Sequence, residues 1–263
     1  MASQRRLLTF ACEGFTLGAS LDEAAGPVGV LMVTGGTQTR IGSHRMFERL
    51  ASGLAAAAYP VFRFDRRGVG DSEGEEAGWR SSAGDIAAAA AAFRTEVPHL
   101  KRIVGFGLCD GATALALYAE GLNGLILANP WLVEAEAGSP PAAAIRERYK
   151  QRLTSTEGWK KLLAGSVSYK QVLKDIRTIA GTGPSPLAAE VARPIRELPV
   201  QFILSRGDAT GIAAAAEWES EAFATLRAAN PAPLVIDTDS HTFARPGDAE
   251  ALLDACLDAL SRG

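Results

Sequence analysis

A cysteine between glycines is the feature of this sequence best suited to chemistry. Cys109 is the centre of residues 107–111, Gly-Leu-Cys-Asp-Gly, which follow an apolar run and precede an alanine-rich stretch. Small residues two positions either side of a nucleophile, between a strand and a helix, are typical of a nucleophile elbow. Such a turn presents the side chain at a helix N-terminus, where the dipole favours a thiolate. We interpret Cys109 as the nucleophile; the alternative is a buried structural cysteine.

A cysteine nucleophile needs a base, and the sequence has three histidines. His99 follows Pro98 just before a predicted strand, which is a poor position for catalysis. His44 lies near the glycine loop at the mouth of the predicted site. His241 lies between the last predicted strand and the last predicted helix, on the same edge of the sheet as Cys109. His241 is therefore the predicted general base.

The acid that orients the histidine should follow the preceding strand. Asp208 lies in the turn after residues 200–204, and Asp237 or Asp239 could replace it. Its role would be to fix the imidazole tautomer and to stabilise the imidazolium. The chain order nucleophile, acid, base then matches one known arrangement of this triad. The alternative for Asp208 is an ordinary turn aspartate.

Two backbone amides should stabilise the oxyanion. The amide of Asp110 follows the nucleophile, whereas the Asp110 carboxylate is expected to have no catalytic role. The second amide should come from the Gly-Gly loop after the first parallel strand, from either Gly36 or Thr37. Near the same loop, we expect three side chains to contact the substrate, namely Arg40, His44 and Arg45.

The elements that must position these residues alternate along the chain. Apolar strands separated by helices predict an α/β fold with a mostly parallel central sheet and helices on both faces. An antiparallel edge hairpin is expected from residues 7–11 and 15–19. The other predicted strands are 28–33, 61–64, 103–106, 125–128, 200–204 and 234–236; the predicted helices are 43–58, 83–93, 112–119, 213–228 and 248–260.

One segment interrupts this alternation. Residues 131–196 contain no convincing strand, and residues 144–179 carry nine Lys or Arg against three acidic residues. We interpret 131–196 as a helical cap inserted into a core formed by 1–130 and 197–263. The basic side chains indicate an anionic or carrier-linked substrate, although a solvated basic helix pair would give the same pattern.

Composition excludes several classes of protein. The 263 residues carry a net charge of −3, which does not suit a nucleic-acid partner. No stretch approaches the ~20 apolar residues of a membrane span, and no secretory signal is recognised. Three scattered cysteines and three dispersed histidines provide neither a disulfide framework nor a metal site. We expect a cytoplasmic protein without a metal or cofactor; its oligomeric state cannot be predicted.

The pattern resembles the α/β-hydrolases over nearly the whole chain. Residues 64–72, Phe-Asp-Arg-Arg-Gly-Val-Gly-Asp-Ser, are similar to the Asp-x-Arg-Gly-x-Gly-x-Ser turn of that superfamily, in which Asp65, Arg66 and Gly68 would be structural. The replacement of serine by cysteine also resembles the dienelactone hydrolases. Four short motifs resemble the exosortase A system-associated hydrolases, type 1: Gly35-Gly36-Thr37-Gln38, Gly42-Ser43-His44-Arg45, Cys109-Asp110 and His241-Thr242-Phe243.

This resemblance implies the α/β-hydrolase fold and an exopolysaccharide or protein-sorting setting, but no substrate. From the residues we expect hydrolysis of an ester, thioester or lactone of a small-molecule acyl substrate through an acyl-enzyme. The alternatives are an acyltransferase acting on a sugar or carrier, and a non-catalytic accessory protein of exopolysaccharide assembly with the same fold.

Overall fold

A computed structural model describes residues 4–133 and 185–262. The strands of this part form one eight-stranded sheet in the order β1-β2-β4-β3-β5-β6-β7-β8. Their bounds are β1 Arg5–Cys12, β2 Phe15–Asp22, β3 Val28–Val33, β4 Val61–Phe64, β5 Arg102–Leu108, β6 Gly124–Ala128, β7 Val200–Ser205 and β8 Leu234–Ile236.

The sheet is mostly parallel, as predicted. The β1–β2 hairpin forms one edge, β2 pairs antiparallel with β4, and all later neighbours pair in parallel. Parallel strands have their carboxyl ends at one edge, so the loops after β3, β5, β7 and β8 lie together. The predicted mostly parallel central sheet is confirmed.

Helices separate the strands in the sequence. They are α1 Met46–Ala56, α2 Ala83–Glu96, α3 Asp110–Leu117, α4 Pro186–Ile195, α5 Ala209–Trp218, α6 Ala224–Ala229 and α7 Asp248–Ser261. Two predicted helices differ from the structure. The first helix begins at Met46, after a 3₁₀ turn at Ser43–Arg45, and the stretch 213–228 is divided into α5 and α6 by a break near Ser220.

Two apolar layers cover the two faces of the sheet. One layer packs α2, α3 and α4 against the sheet, with Phe62, Phe93 and Phe202 fully buried. The other packs α1 and α7 around Phe47 and Phe106, whose ring centroids are 5.6 Å apart. Burial on both faces explains why the central strands are continuous apolar runs rather than alternating ones.

A buried ion pair joins β2 to β4. Arg63 and Asp22 are each about 1% exposed, and Arg63 Nη2 lies 3.0 Å from Asp22 Oδ2. Asp22 also accepts a hydrogen bond of 2.7 Å from Arg5 Nε. Burial lowers the pKa of Arg63 more than the neighbouring Asp22 carboxylate raises it. The antiparallel edge is therefore tied to the parallel sheet by charge as well as by backbone hydrogen bonds.

Most of the predicted cap lies outside the described residues. Its last part, α4, packs its apolar side chains into the layer beside α3, with Leu187, Val191 and Ile195 buried. Residues 186–195 therefore belong to the layer that covers the sheet.

Candidate active site

Cys109 occupies the turn between β5 and α3 in a conformation that non-glycine residues rarely adopt. Its φ of 58° and ψ of −128° hold the side chain at the start of α3, and Cys109 is only partly buried. The turn is closed by close backbone contacts. A Cβ on Gly107 would approach Ala112 Cα to 2.6 Å, and one on Gly111 would approach Thr34 O to 2.6 Å. The glycines are therefore sterically required, as a nucleophile elbow demands.

His241 and Asp208 come together at the same edge of the sheet. His241 Nδ1 lies 2.9 Å from Asp208 Oδ2, which leaves Nε2 for Cys109. The pKa of His241 is raised to about 10, first by the hydrogen bond to Asp208 and then by the hydrogen bond to Cys109, with partial burial opposing both. The three residues proposed from the sequence are thus connected as Cys109–His241–Asp208.

The two alternative acids, Asp237 and Asp239, are paired with arginines and not with His241. Asp237 lies 3.0 Å from Arg206, and Asp239 lies 2.9 Å from Arg245. Neither aspartate is recorded in contact with His241. Asp208 also caps α5 by accepting a hydrogen bond of 2.9 Å from the Gly211 amide, so the helix N-terminus holds the same oxygen, Oδ2, that contacts His241.

The loop after β3 contains the two amides proposed as oxyanion donors. The Gly36 amide donates a hydrogen bond of 2.6 Å to Asp110 Oδ1, so the Asp110 side chain already occupies this donor. Arg66 Nη2 donates a short hydrogen bond to the Gly36 carbonyl. The Gly36 carbonyl and the Thr37 N–H belong to one peptide group, and in a planar trans peptide they point in opposite directions. The Thr37 N–H therefore points away from Arg66. Of the two candidates, Thr37 therefore has the amide that Asp110 does not occupy.

Comparison of the sequence with protein-family models gives a match over residues 30–255, to the model described as the alpha/beta hydrolase family. The match covers most of the chain and includes Cys109, Asp208 and His241. The chain belongs to the alpha/beta hydrolase family. No curated protein matches the sequence of this hydrolase.

Solved structures resemble the hydrolase over its full length. Esterase Pf2001 of Pyrococcus furiosus has a TM-score of 0.65 at 16% identity, covering 99% of this chain and 93% of its own. A dienelactone hydrolase of Anabaena variabilis has a TM-score of 0.63 at 15% identity, and the match covers 100% of this chain and 99% of that one. Est1E of Butyrivibrio proteoclasticus, solved with ferulic acid, has a TM-score of 0.62 at 15% identity, and the match covers 97% of this chain and 99% of that one. At these identities the likeness shows the fold.

The hydrolase gives Arg40 a structural position, and a substrate contact for it remains a prediction. Its guanidinium binds the buried Asp65 closely and lies 2.8 Å from Asp71 Oδ2, and its amide donates to Asp65 Oδ1. Ser72 Oγ also donates to the Asp65 carbonyl at 2.6 Å. Asp65 therefore holds the loop as predicted, and Arg40 is one of the groups that it holds.

His44 and Arg45 lie in the turn that precedes α1. Both have positive φ, 53° and 60°. His44 lines a depression of about 390 Å³ together with Thr242 and Phe243, which follow His241. Arg45 lies 2.9 Å from Glu48 on α1. A substrate contact remains a prediction for both residues.

Sequence reasoning missed Asn129, which holds the loop of His241. Asn129 is fully buried at the end of β6, and its Nδ2 donates to the His241 carbonyl at 3.0 Å and to Ser205 Oγ at 2.9 Å. Its Oδ1 accepts a hydrogen bond of 2.8 Å from the Ser205 amide, and Ser205 Oγ donates to the Ser240 carbonyl at 3.0 Å. A polar residue at the carboxyl end of a central strand was the signal that could have identified it.

The described part of the hydrolase was considered for a metal site and for a helix that could cross a membrane. Within residues 4–133 and 185–262, no three His, Cys, Asp or Glu side chains are grouped closely enough to hold a metal ion. No helix in this part of the chain is both long enough and apolar enough to cross a bilayer.

Proposed function

We propose that this hydrolase cleaves esters, thioesters or lactones through a covalent intermediate on Cys109. The observation that carries the proposal is His241, hydrogen-bonded at 2.9 Å to Asp208 and neighbouring Cys109, which lies on a strained turn. Strained non-glycine backbone of this kind is concentrated at active sites. An accessory protein that only bound a ligand would have no need of an oriented imidazole beside a partly exposed thiol.

Acylation begins with the proton on His241. Because the pKa of His241 is raised to about 10, the imidazole is protonated at neutral pH and faces Cys109 as an imidazolium. The sulfur attacks the acyl carbon, and the carbonyl electrons move onto oxygen, where the Asp110 amide and the Thr37 amide donate to it. Collapse breaks the bond to the leaving group, which takes the proton from His241, and an acyl thioester remains on Cys109.

Deacylation uses the now neutral His241 as a base. Water loses a proton to Nε2 as its oxygen attacks the thioester carbon. Collapse of the second tetrahedral intermediate expels the Cys109 thiolate and releases the carboxylic acid, with the proton left on His241. Asp208 stabilises the imidazolium in both halves of the cycle without becoming protonated itself.

The sulfur nucleophile limits the substrates that we propose. A thiolate is a better leaving group than an amine or an alkoxide, so an intermediate on Cys109 returns to substrate unless the departing group also leaves well. This favours thioesters, lactones and activated or small esters over amides. Structural neighbours named as esterases and as a dienelactone hydrolase support this range.

The cellular setting that we propose rests on sequence resemblance. The Gly-Gly-Thr-Gln loop and the Cys-Asp pair at residues 109–110 resemble those of exosortase A system-associated hydrolases, which supports a role in an exopolysaccharide pathway. A cytoplasmic location is supported by three free cysteines, two of them buried and unpaired.

Alkylation of Cys109 as a function of pH tests the pairing with His241. Cys12 and Cys256 are 3% and 0% exposed, so labelling by iodoacetamide reports Cys109. Burial and the charge of Asp85 raise the pKa of Cys12 to about 11, and burial raises the pKa of Cys256, which further suppresses labelling of both. We expect labelling of the wild type to be fast at neutral pH, and His241→Ala, which removes the imidazolium beside the sulfur, to slow it.

Turnover of a panel of aryl esters and thioesters tests the reaction. We expect Cys109→Ala to remove hydrolysis, whereas Cys12→Ala, which removes a buried thiol elsewhere, should retain it. Full activity in Cys109→Ala would overturn the mechanism. Analysis of products in the presence of a sugar acceptor separates hydrolysis from acyl transfer.

A further inference from the structure

The Asp110 carboxylate lies against the same loop as the nucleophile. Its Oδ1 is 2.6 Å from the Gly36 amide. A Cβ built on Gly35 would lie 2.7 Å from Asp110 Oδ1 and 3.2 Å from Cys109 Cβ, so both side chains lie over Gly35. The carboxylate is therefore a neighbour of the thiol and not merely a helix-start acid turned away from it.

Among the residues that the structure describes, none places a cation directly against this carboxylate. Within residues 4–133 and 185–262, Asp110 forms no ion pair, and its recorded side-chain partner is the uncharged Gly36 amide. The nearby Arg66 is bound to the Gly36 carbonyl and to Ser82, while Arg40 is paired with Asp65 and Asp71. The imidazole of His241 is paired with Asp208. The negative charge of Asp110 therefore acts on whatever binds beside Cys109.

We propose that Asp110 is a specificity-determining residue, which rejects acyl groups bearing a negative charge and favours neutral or cationic ones. This inference rests on the proposed function and specifies which acyl groups the Cys109 site accepts. An anionic acyl group attacked by Cys109 would bring a second negative charge close to a carboxylate held by the Gly36 amide. At short range and with partial burial, repulsion of this kind changes rates by about tenfold.

The basic segment 144–179 does not conflict with this assignment. It was interpreted as favouring an anionic substrate or carrier, and it lies outside the described residues. A carrier is part of the leaving group, whereas Asp110 acts on the acyl group at the nucleophile. The two preferences concern different ends of one substrate.

A pair of alkylating agents tests the charge effect without requiring turnover. Iodoacetamide is neutral, whereas iodoacetate is anionic, and both label Cys109. We expect Asp110→Asn, which keeps the shape of the side chain, to raise the iodoacetate-to-iodoacetamide rate ratio about tenfold, and added salt to shrink the difference. Glu120→Gln, an equal loss of charge at an exposed position just after α3, should leave the ratio unchanged.

Turnover of three thioesters of similar length then tests selectivity in the reaction. With N-acetylcysteamine thioesters, we expect wild-type kcat/KM to fall from 3-aminopropanoyl to butanoyl to malonyl, and Asp110→Asn to raise the malonyl-to-butanoyl ratio about tenfold. Circular dichroism and thermal melting establish that the variant is folded. Unchanged ratios in Asp110→Asn, or a wild-type preference for malonyl, would overturn the proposal. A shifted alkylation ratio with full hydrolysis by Cys109→Ala would show the charge effect of Asp110 on the thiol but overturn the proposed function, and with it the acyl selectivity.

Discussion

His241 is the residue whose proton links the chemistry of the site to the stability of the fold. Its imidazole lies between a carboxylate and a thiol, and the Asp208 hydrogen bond is the largest of the causes that raise its pKa to about 10. An imidazolium at neutral pH means that the proton needed by the leaving group is in place before substrate binds. The same interaction makes folding depend on pH.

The stability conferred by His241 should be lost in alkali. Its folded pKa, about 10, is above the ordinary value of 6.5, so the contribution is complete below about 6.5 and disappears as pH rises through about 10. Urea unfolding of wild type and His241→Gln at several pH values measures it. We expect the difference in free energy of unfolding to be largest near pH 6 and to shrink by pH 10.5. A difference that did not change across this range would contradict the assignment.

Asn129 should affect catalysis through the position of His241. Asn129→Ala removes the donor to the His241 carbonyl and leaves buried groups of Ser205 unpaired, at a cost of about 1–3 kcal/mol. We expect kcat/KM to fall and its pH profile to shift, because the imidazole is no longer held against Asp208.

Asn123→Ala is the matched control for Asn129→Ala. It removes an asparagine that accepts a hydrogen bond of 2.9 Å from the Ile103 amide at the opposite end of β5. Because Asn123 is exposed, water can replace this bond, and a smaller loss of stability with no change in the pH profile is expected from this variant. If Asn129→Ala behaved in the same way, Asn129 would be structural only.

The sequence predicted that the catalytic candidates lie close together, but it did not predict the orientation of the neighbouring side chains. Chain order and strand ends predicted that Cys109, Asp208 and His241 share one edge, because the carboxyl ends of parallel strands meet there. The direction of the Asp110 side chain depends on where Gly36 lies across the sheet. No local pattern contains that information.

At the scale of elements, the β5–α3 turn is where the fold creates the site. The Cys109 backbone is strained, and the strain persists because α3 begins against the end of β3. The side chain consequently has one direction available to it. The reactivity of the thiol should therefore be sensitive to any atom added beneath the turn.

Gly111→Ala should distort this turn. The added Cβ would meet backbone carbonyls of Val33 and Thr34 at 2.6 Å, and overpacking of this kind costs about 1–3 kcal/mol. We expect a lower Tm and the loss of rapid iodoacetamide labelling at neutral pH. In the control Gly53→Ala, the new Cβ meets the movable Leu253 side chain, and a small effect is expected. Rapid labelling in a folded Gly111→Ala protein would argue against the steric requirement.

Prediction of elements succeeded where local and tertiary signals agree. The strands Val28–Val33, Val61–Phe64 and Leu234–Ile236 were located to the residue, because each is an apolar run bounded by turn-forming residues. The stretch 213–228 was predicted as one helix because it contains neither glycine nor proline. Trp218 and Phe223 both pack on Phe202, and this tertiary packing requires the break between α5 and α6.

At the scale of the whole molecule, breaking the ion pair of Asp22 and Arg63 should destabilise the protein far more than breaking a surface pair. Asp22→Asn leaves the Arg63 charge buried without its partner, which costs about 3–5 kcal/mol. Asp239→Asn breaks a pair whose side chains are 63–65% exposed, and solvent screening should make its cost far smaller. Chemical denaturation of both variants measures the difference, and similar costs would refute it.

Sulfur at the elbow also makes the protein sensitive to oxidants. A partly exposed thiolate is oxidised by peroxide to sulfenic acid, which thiols reduce, and then to sulfinic acid, which they do not. Cys12 and Cys256 are buried, so neither offers an accessible thiol to form a protective disulfide with Cys109. We expect brief peroxide treatment to abolish labelling of Cys109 and dithiothreitol to restore it, whereas prolonged treatment should be irreversible. The activity of this hydrolase would then follow the redox balance of its surroundings, a dependence that a serine nucleophile would not create.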